Sequence, residues 1–565
     1  LTQTGLKNLL HLGSGSFEEI SGEVVQSCTF IIHKHLNTLL KPHVIDLTLC
    51  LNAISKEVAY VQRNAKSYKL LMQRDYLEIP DFTLAYKLDS DGLSIYENNK
   101  LIGDVFEVKR GPSLPNNKEY SKKWFEVSID DVMINPKCDK KYKWQLCTRS
   151  GSKSKWFEVV DEVLKTDILS NISNFDSQDL VGIVWPDARF GSHEVCARIK
   201  KNHYTFESGV NFIHARSLKD QYLLLAYFNT YLYEKMLLNV VNGQHFSPIY
   251  IKKLPYIRLD NQKIISFVTE IIDVLESIAY NIETSPNFNR YYKFDKKYIK
   301  ESYHQTEKFV SESIDSVIHM EEYVSDLIES LKIIEKINQN DNTRLFMCYL
   351  DDATYVKALI SYTVGCLFGR YSLDVDGLAY AGGDWDNTKY KTIIPDDDNI
   401  IPISEEAYLE DDLLGRFISF IEVVYSSETL EENLEFIASA LSAKGNSSRE
   451  VIREYLLNDF YKDHVKTYQK RPIYWLFDSG KNNGFKALIY MHRYNKDLLA
   501  KMRLDYVHEL QERYRSESSH LTRMIDDIDN QRDKVAYNKQ LEKLKAKEEE
   551  LLRYEEKLHH LADQR

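Results

Sequence analysis

The stretch that most constrains the fold is residues 470–494, KRPIYWLFDSGKNNGFKALIYMHRY. Residues 473–477 and 485–490 are aromatic and branched runs, the composition of strands. Between them Asp-Ser-Gly-Lys-Asn-Asn-Gly is a turn sequence whose glycines tolerate positive φ. A hairpin this apolar must be buried on at least one face, so neighbouring elements must pack on it. The chain before it reads as globular. Beyond it, residues 501–565 are almost wholly Glu, Lys, Arg, Leu and Tyr with apolar residues at helical spacing. That pattern predicts two long antiparallel helices breaking near Tyr537-Asn538.

At 565 residues the chain is too long for one core, so several domains are expected. A formal charge of -12 excludes a basic nucleic-acid coat, and any DNA contact must come from a local positive surface. No apolar run approaches the roughly 18 residues that span a bilayer, so no membrane partner is expected. Seven cysteines without a Cys-x-x-Cys pair fit a reducing cytoplasm better than a disulfide framework or a zinc site, and no metal is expected. No signal peptide is read at the start, and because the chain opens on Leu1 we read it as part of a longer protein.

Residues 471–494 are similar to the C-terminal region of the PglX family, adenine-specific DNA methyltransferases of BREX phage-defence systems. So are residues 361–371 (SYTVGCLFGRY), 431–441 (EENLEFIASAL) with 447–455 (SSREVIREY), and 17–26 (FEEISGEVVQ). These motifs follow the family's order and span almost the whole chain. The resemblance implies a multidomain α/β and α+β protein. Its parts would be a Rossmann-like methyltransferase remnant (1–76), a mixed α/β target-recognition domain (77–258), a helical connector (259–340), a C-terminal α/β domain (341–500) and a coiled-coil-like helical hairpin (501–565). The implied function is DNA target recognition within a site-specific N6-adenine methyltransferase that marks self DNA using S-adenosylmethionine, in the bacterial cytoplasm. Double-stranded DNA is the implied partner; other BREX proteins or a phage-encoded DNA-mimic inhibitor are further candidates.

Such enzymes carry an Asn/Asp/Ser-Pro-Pro-Tyr/Phe loop that grips the target amine and stacks on the flipped base. Asn135-Pro136-Lys137, Ser247-Pro248-Ile249 and Ser285-Pro286-Asn287 all lack the second proline, and the acidic-Gly-x-Gly motif for S-adenosylmethionine is missing. The resemblance therefore implies a catalytic half upstream that also binds the cofactor, and no catalytic residue is assigned here. The turn Gly13-Ser14-Gly15-Ser16 is a lone GSG, read as an ordinary loop.

Residues 137–156 (KCDKKYKWQLCTRSGSKSKW) interleave lysines with Tyr142, Trp144 and Trp156, and a second cluster runs through Arg189, Arg198, Lys200, Lys201, Asn202, His203 and Tyr204. Basic side chains reach phosphates, while amides and arginines read base edges. A helix expected over 220–238, the Asn242-Gly243-Gln244 turn and the closing Leu254-Pro255 make the succession resemble the recognition domains of TaqI-like and type I specificity modules. The candidate DNA contacts are Lys141, Lys143, Arg149, Lys153, Lys155, Arg189, Lys200, Lys201, Asn242 and Gln244. On composition alone, solvated lysine-rich loops explain the same pattern.

Two other function classes are weighed. Pro80-Asp81 with Glu107-Val108-Lys109 fits the loose pattern of metal-dependent nucleases, but the pattern is short and common. His193-Glu194 fails as a zinc-protease helix because Ala197 stands where the second histidine belongs. The main alternative is an interaction scaffold for other defence proteins using residues 353–565. Strands are expected at 6–12, 24–32, 106–110 and 124–127, and helices at 46–71, 264–279, 310–337 and 353–370. The loops at 381–384 and 395–399 are read as solvated, the aromatic, basic stretch 288–303 as spacer or nucleic-acid contact, and the acidic run 405–412 as repelling DNA.

Overall fold

The computed structural model describes residues 4–18, 25–35, 39–69, 72–88, 90–113, 117–134, 141–150, 154–169, 181–188, 195–241, 245–258, 261–289, 297–329, 351–406, 408–441, 443–527 and 530–563. The fold is mixed α/β with four small sheets. In the first, β1 (Gly5–Gly13), β2 (Ser27–His33), β3 (His43–Asp46) and β4 (Lys66–Lys69) lie in the order β2-β1-β3-β4. Between β3 and β4, α1 (Ala53–Val61) starts in a capping box, Asn52 accepting from the Ser55 amide while Ser55 accepts from Asn52. The helix expected over 46–71 is thus reduced to its middle. Its C-terminal end becomes β4 because β3 offers it an antiparallel pairing edge, which local periodicity does not register.

Two sheets come next along the chain. One has the order β11-β10-β13-β5, with β5 (Val108–Arg110), β10 (Gly182–Pro186), β11 (Arg198–Lys200) and β13 (Val210–His214) all antiparallel. The other has the order β12-β8-β9-β6, built from β6 (Ser121–Lys123), β8 (Trp144–Thr148), β9 (Glu162–Lys165) and β12 (Thr205–Phe206), with β7 (Val132–Met133) also pairing β8. The strand expected at 124–127 is instead a single 3-10 turn, Trp124–Glu126, which drives Trp124 and Phe125 into a core. The helix expected over 220–238 is two, Leu218–Phe228 and Tyr231–Val240, because Asn229 is captured by both backbone groups of Ala197 at 3.1 and 3.0 Å.

Helices Gln262–Ala279 and Ile299–Glu329 bring the chain to the C-terminal region, where Asp351 caps Asp352–Leu367 by accepting from the Thr354 amide at 2.8 Å. Gly365 and Gly369 lie in that region's core geometry as expected: a Cβ on Gly365 would stand 2.3 Å from the Tyr371 ring. The hairpin forms as its composition requires. β15 (Tyr474–Asp478) and β16 (Lys486–Tyr490) pair antiparallel with Leu476 opposite Leu488, and β14 (Ile401–Pro402) adds a third strand in the order β14-β16-β15.

Strand β16 is buried on both faces, and the side-chain alternation of a strand divides the hairpin's residues. Tyr474, Leu488 and Tyr490 enter a core with the surrounding helices and with Trp124, Trp144 and Val163 of the β8 sheet. Phe485, Ala487 and Ile489 face the opposite way, onto Met502, Leu510, Tyr514 and Leu551 of the tail. A further core joins Ile183, Trp185 and Ile213 to Leu224, Ile271 and Met320, so residues 77–258 contribute a sheet to each of the two largest cores. At the centre of the hairpin core Arg370 is fully buried. It donates to the hydroxyls of Tyr371 (3.0 Å) and Tyr490 (3.1 Å), with its guanidinium 5.4 Å from the Trp124 ring centroid.

The tail consists of helices His508–Asp527 and Gln531–Asp563, preceded by a π-helical turn at Met502–Val507. The first of these helices ends at Asp527 and the second begins at Gln531, earlier than the Tyr537-Asn538 break expected, so Tyr537 lies within the second helix. The hairpin turn grips this helix: Glu550 accepts from the Ser479 hydroxyl (2.7 Å) and the amides of Asn482 (2.9 Å) and Gly484 (3.0 Å). Gly480, at φ 143°, takes a conformation that suits glycine. Burial pushes the Glu550 carboxyl up, but these hydrogen bonds more than offset it and hold the group below its ordinary range. Glu550→Ala should cost about 2 kcal/mol locally. Amide exchange is expected to accelerate across Gln531–Asp563 and not in the Asp352–Leu367 helix; equal rates in mutant and wild type would remove this anchor.

The loop at 395–399 is not solvated. Asn399 exchanges two hydrogen bonds of 3.0 Å with the Tyr490 backbone, and the buried Asp396 pairs with Arg416 at 2.5 Å. In the loop at 381–384, Gly382 packs on Ser128 and the Ala381 carbonyl accepts from the Ile129 amide at 3.0 Å, tying the C-terminal region to the β8 sheet. The acidic run at 405–412 is partly neutralised: Glu405 pairs with Lys547 at 2.7 Å and the buried Asp412 with Arg453 at 3.0 Å.

Candidate nucleic-acid interface

β10 (Gly-Ile-Val-Trp-Pro) is buried along its whole length, and at its end the chain turns out through Asp187. The Asp187 carboxylate is itself buried and collects three partners: Asn211 Nδ2 at 3.1 Å, His245 Nδ1 at 3.0 Å and Arg110 Nη2 at 3.2 Å. The Asp187 carbonyl accepts from the Phe246 amide at 2.7 Å, and Ala188 bridges His245. Arg110 Nε also donates to the Ser208 carbonyl at 2.6 Å. Beside it Gly111 passes so close to Glu207 that a Cβ would lie 1.9 Å from its carbonyl oxygen, which only glycine allows. Arg110 and His245 remain half or more exposed, so a cation and an imidazole stand at the surface on a buried carboxylate.

This node sits where residues 188 and 195 flank one candidate segment and 241 and 245 the other. Arg189, Asn242 and Gln244 themselves, like Lys153 and the His193-Glu194 pair, lie outside the described residues. Sequence reasoning missed Arg110, Asp187 and His245. The available signal was a polar residue at the exit of a wholly apolar strand, the usual position of functional groups on a rigid scaffold.

The remaining candidates divide sharply. Lys141 and Lys143 are exposed, Lys143 making a 3.0 Å pair with Asp131. Arg149 is turned inward between Glu162 (2.6 Å) and Glu207, which joins β9 to the β12 turn. Burial pushes the Glu162 carboxyl up, but Arg149 and Lys123 bring it down below the usual carboxylate range. Lys200 is buried, its ammonium 3.3 Å from the Lys201 carbonyl and 5.6 Å from the Phe212 ring centroid. Lys201 is paired with Glu276, and Lys155 is half-buried. Arg198 is wholly buried, with Nε 3.0 Å from Glu158. Two cations of the second cluster, Arg198 and Lys201, are therefore committed to carboxylates.

The other motifs are absorbed by the fold. The Gly13–Ser16 turn is filled by its own neighbours: a Cβ on Gly15 would stand 2.6 Å from the Leu51 carbonyl oxygen. The close approach accounts for the glycine without a ligand, and no chemical step is assigned to the turn. Asp81 is paired with Lys253, and Glu107 with Lys109 at 2.8 Å, so each carboxylate of the nuclease-like pattern has its own lysine. Among the described residues no group of three or more His, Cys, Asp or Glu converges as metal ligands, and no helix is long and apolar enough to cross a membrane.

No family model matches the chain. Two curated proteins do, both named adenine-specific methyltransferases. PglX of Lacticaseibacillus casei (strain Zhang) is 29% identical over 592 residues, covering 98% of this chain and 49% of that protein. BrxX of Escherichia coli O9:H4 (strain HS) is 28% identical over 602 residues, covering 99% and 49%. Among solved structures, the type IIL restriction-modification enzyme MmeI in complex with DNA superposes with a TM-score of 0.32 at 10% identity, over 63% of this chain and 46% of that one, too distant to carry an argument. The chain's relatives are thus adenine-specific methyltransferases. Within that class the particular relatives are PglX and BrxX, and the chain spans about half the length of each.

Proposed function

We propose that this chain supplies DNA target recognition to a site-specific N6-adenine methyltransferase of a BREX phage-defence system. The observation that carries the reading is similarity to PglX and BrxX along essentially the whole chain. In the intact protein, S-adenosylmethionine bound elsewhere would supply the methyl group that marks self DNA. The part of this chain is to hold the duplex and select the site. Exposed Lys141 and Lys143 are assigned to phosphates, and Arg110 and His245, seated on Asp187, to the groove or backbone beside segments 189–194 and 242–244. Asn242 and Gln244 are assigned to base edges, since amides read adenine. Arg149 is instead assigned to joining β9 to the β12 turn, Lys201 to pairing with Glu276 of the Gln262–Ala279 helix, and buried Lys200 to packing on Phe212.

The test is fluorescence anisotropy of the chain on random duplex DNA across a salt series. Wild type should lose affinity steeply with salt. The double variant Lys141→Glu, Lys143→Glu should bind more weakly and lower the slope of log affinity against log salt by about 2. Unchanged affinity and slope would remove this loop from the interface, and no binding by the wild-type chain at low salt would count against the recognition reading.

A further inference from the structure

The amino-terminal sheet carries its apolar side chains the wrong way round for a unit that stands alone. Ile54, Val58 and Val61 recur on α1 at the spacing of a helix's buried face. They are exposed, and the residue the helix buries is Lys56, whose ammonium donates to the Leu47 carbonyl at 3.1 Å and to that of Cys50. β2 ends the sheet order and shows the same inversion. Phe30 and Ile32 point to one face and Ile31 to the other, and all three are exposed. These six side chains are between 46% and 70% exposed. A strand edge that is apolar on both faces is what folded proteins cover, because it otherwise recruits other chains.

We propose that α1 and β2 are the seat of a second folded unit of the same protein, the one corresponding to the half of PglX and BrxX that lies outside the match. The relatives carry about as much chain again as is matched here, and this is where described large apolar side chains concentrate at the surface. The surface selects an occupant with an apolar face for Ile54, Val58 and Val61, and the β2 edge, unpaired among the described strands, can accept a strand from it. Since in the proposed function the other half transfers the methyl group, the inference rests on that reading and adds where the two halves join.

The experiment is amide hydrogen exchange over Ser27–His33 and Ala53–Val61, in this chain and in the full-length protein that joins it to that unit. Exchange should be fast in the chain alone and at least about tenfold slower in the full-length protein. A variant with Ile54→Asp and Val58→Asp changes only exposed positions. It should leave the chain's unfolding midpoint and duplex affinity unchanged, while the full-length protein loses both the protection and its methyl transfer. Equal exchange in the two proteins would overturn the proposal. So would protection already present in the chain alone and rising with concentration, which assigns the face to a second copy. Protection without any duplex binding would sustain the docking face while refuting the DNA reading.

Discussion

Arg370→Ala is expected to lower unfolding stability by about 4 kcal/mol, the upper part of the range for truncating a large buried side chain. The guanidinium fills the centre of the C-terminal core, donates to Tyr371 and Tyr490, and lies against the rings of Trp124 and Tyr468. Its loss leaves a cavity and strips the Tyr371 hydroxyl of a donor. Because Trp124 belongs to the segment beside β6, the damage should reach the β8 sheet as well. A denaturant titration checks this; a midpoint within the equivalent of about 1 kcal/mol of wild type would show that the cage carries little of the stability.

Acidification provides the second large effect. His464 is buried, and its Nε2 accepts from the amides of Ile473 (3.2 Å) and Tyr474 (3.1 Å), which requires a neutral ring. Burial, with Arg370 nearby, takes it down to about 3, and burial takes His492 down to about 4 against the opposing pull of the Phe125 carbonyl. Both lie below the ordinary value of 6.5, so as pH falls from there the unfolded chain gains protons that the folded chain refuses, and stability present above pH 6.5 is lost. Asp396 acts oppositely: burial and the hydrogen bond with Asp398 raise it to about 6, so it takes a proton in the folded state first. These three groups alone, two histidine protons against one aspartate proton, contribute a slope of about 1.4 kcal/mol per pH unit between pH 6 and 4. His464→Gln, which keeps an acceptor for the two amides, should flatten that slope; an unchanged slope would mean that His464 titrates normally.

The features legible in the sequence are those in which neighbours along the chain decide. The strands of the hairpin, its glycine turn, the helices around 264–279 and 353–370 and the two-helix tail all follow from periodicity and turn chemistry within about twenty residues. The motifs of residues 361–371, 431–441 and 471–494 also carried the family, which the similarity to PglX and BrxX supports over nearly the whole chain. Composition could not say where a cation would end up. Arg149 and Lys143 stand six residues apart in one basic run, yet one is turned between Glu162 and Glu207 and the other is exposed. Lys201 finds Glu276, and Asp187 gathers Arg110 and His245, over distances in sequence that no local pattern spans.

The same reason explains the shortened helix at α1, the 3-10 turn at Trp124 and the buried loop at 395–399. In each, a partner brought by the fold outweighs a local preference of a few tenths of a kcal/mol per residue. The sequence by itself determined which segments are apolar, which can turn, and which family the chain resembles. Only the tertiary structure decided which lysines and arginines stay at the surface to face a partner, because ionic and hydrogen-bonding groups are assigned by proximity in space.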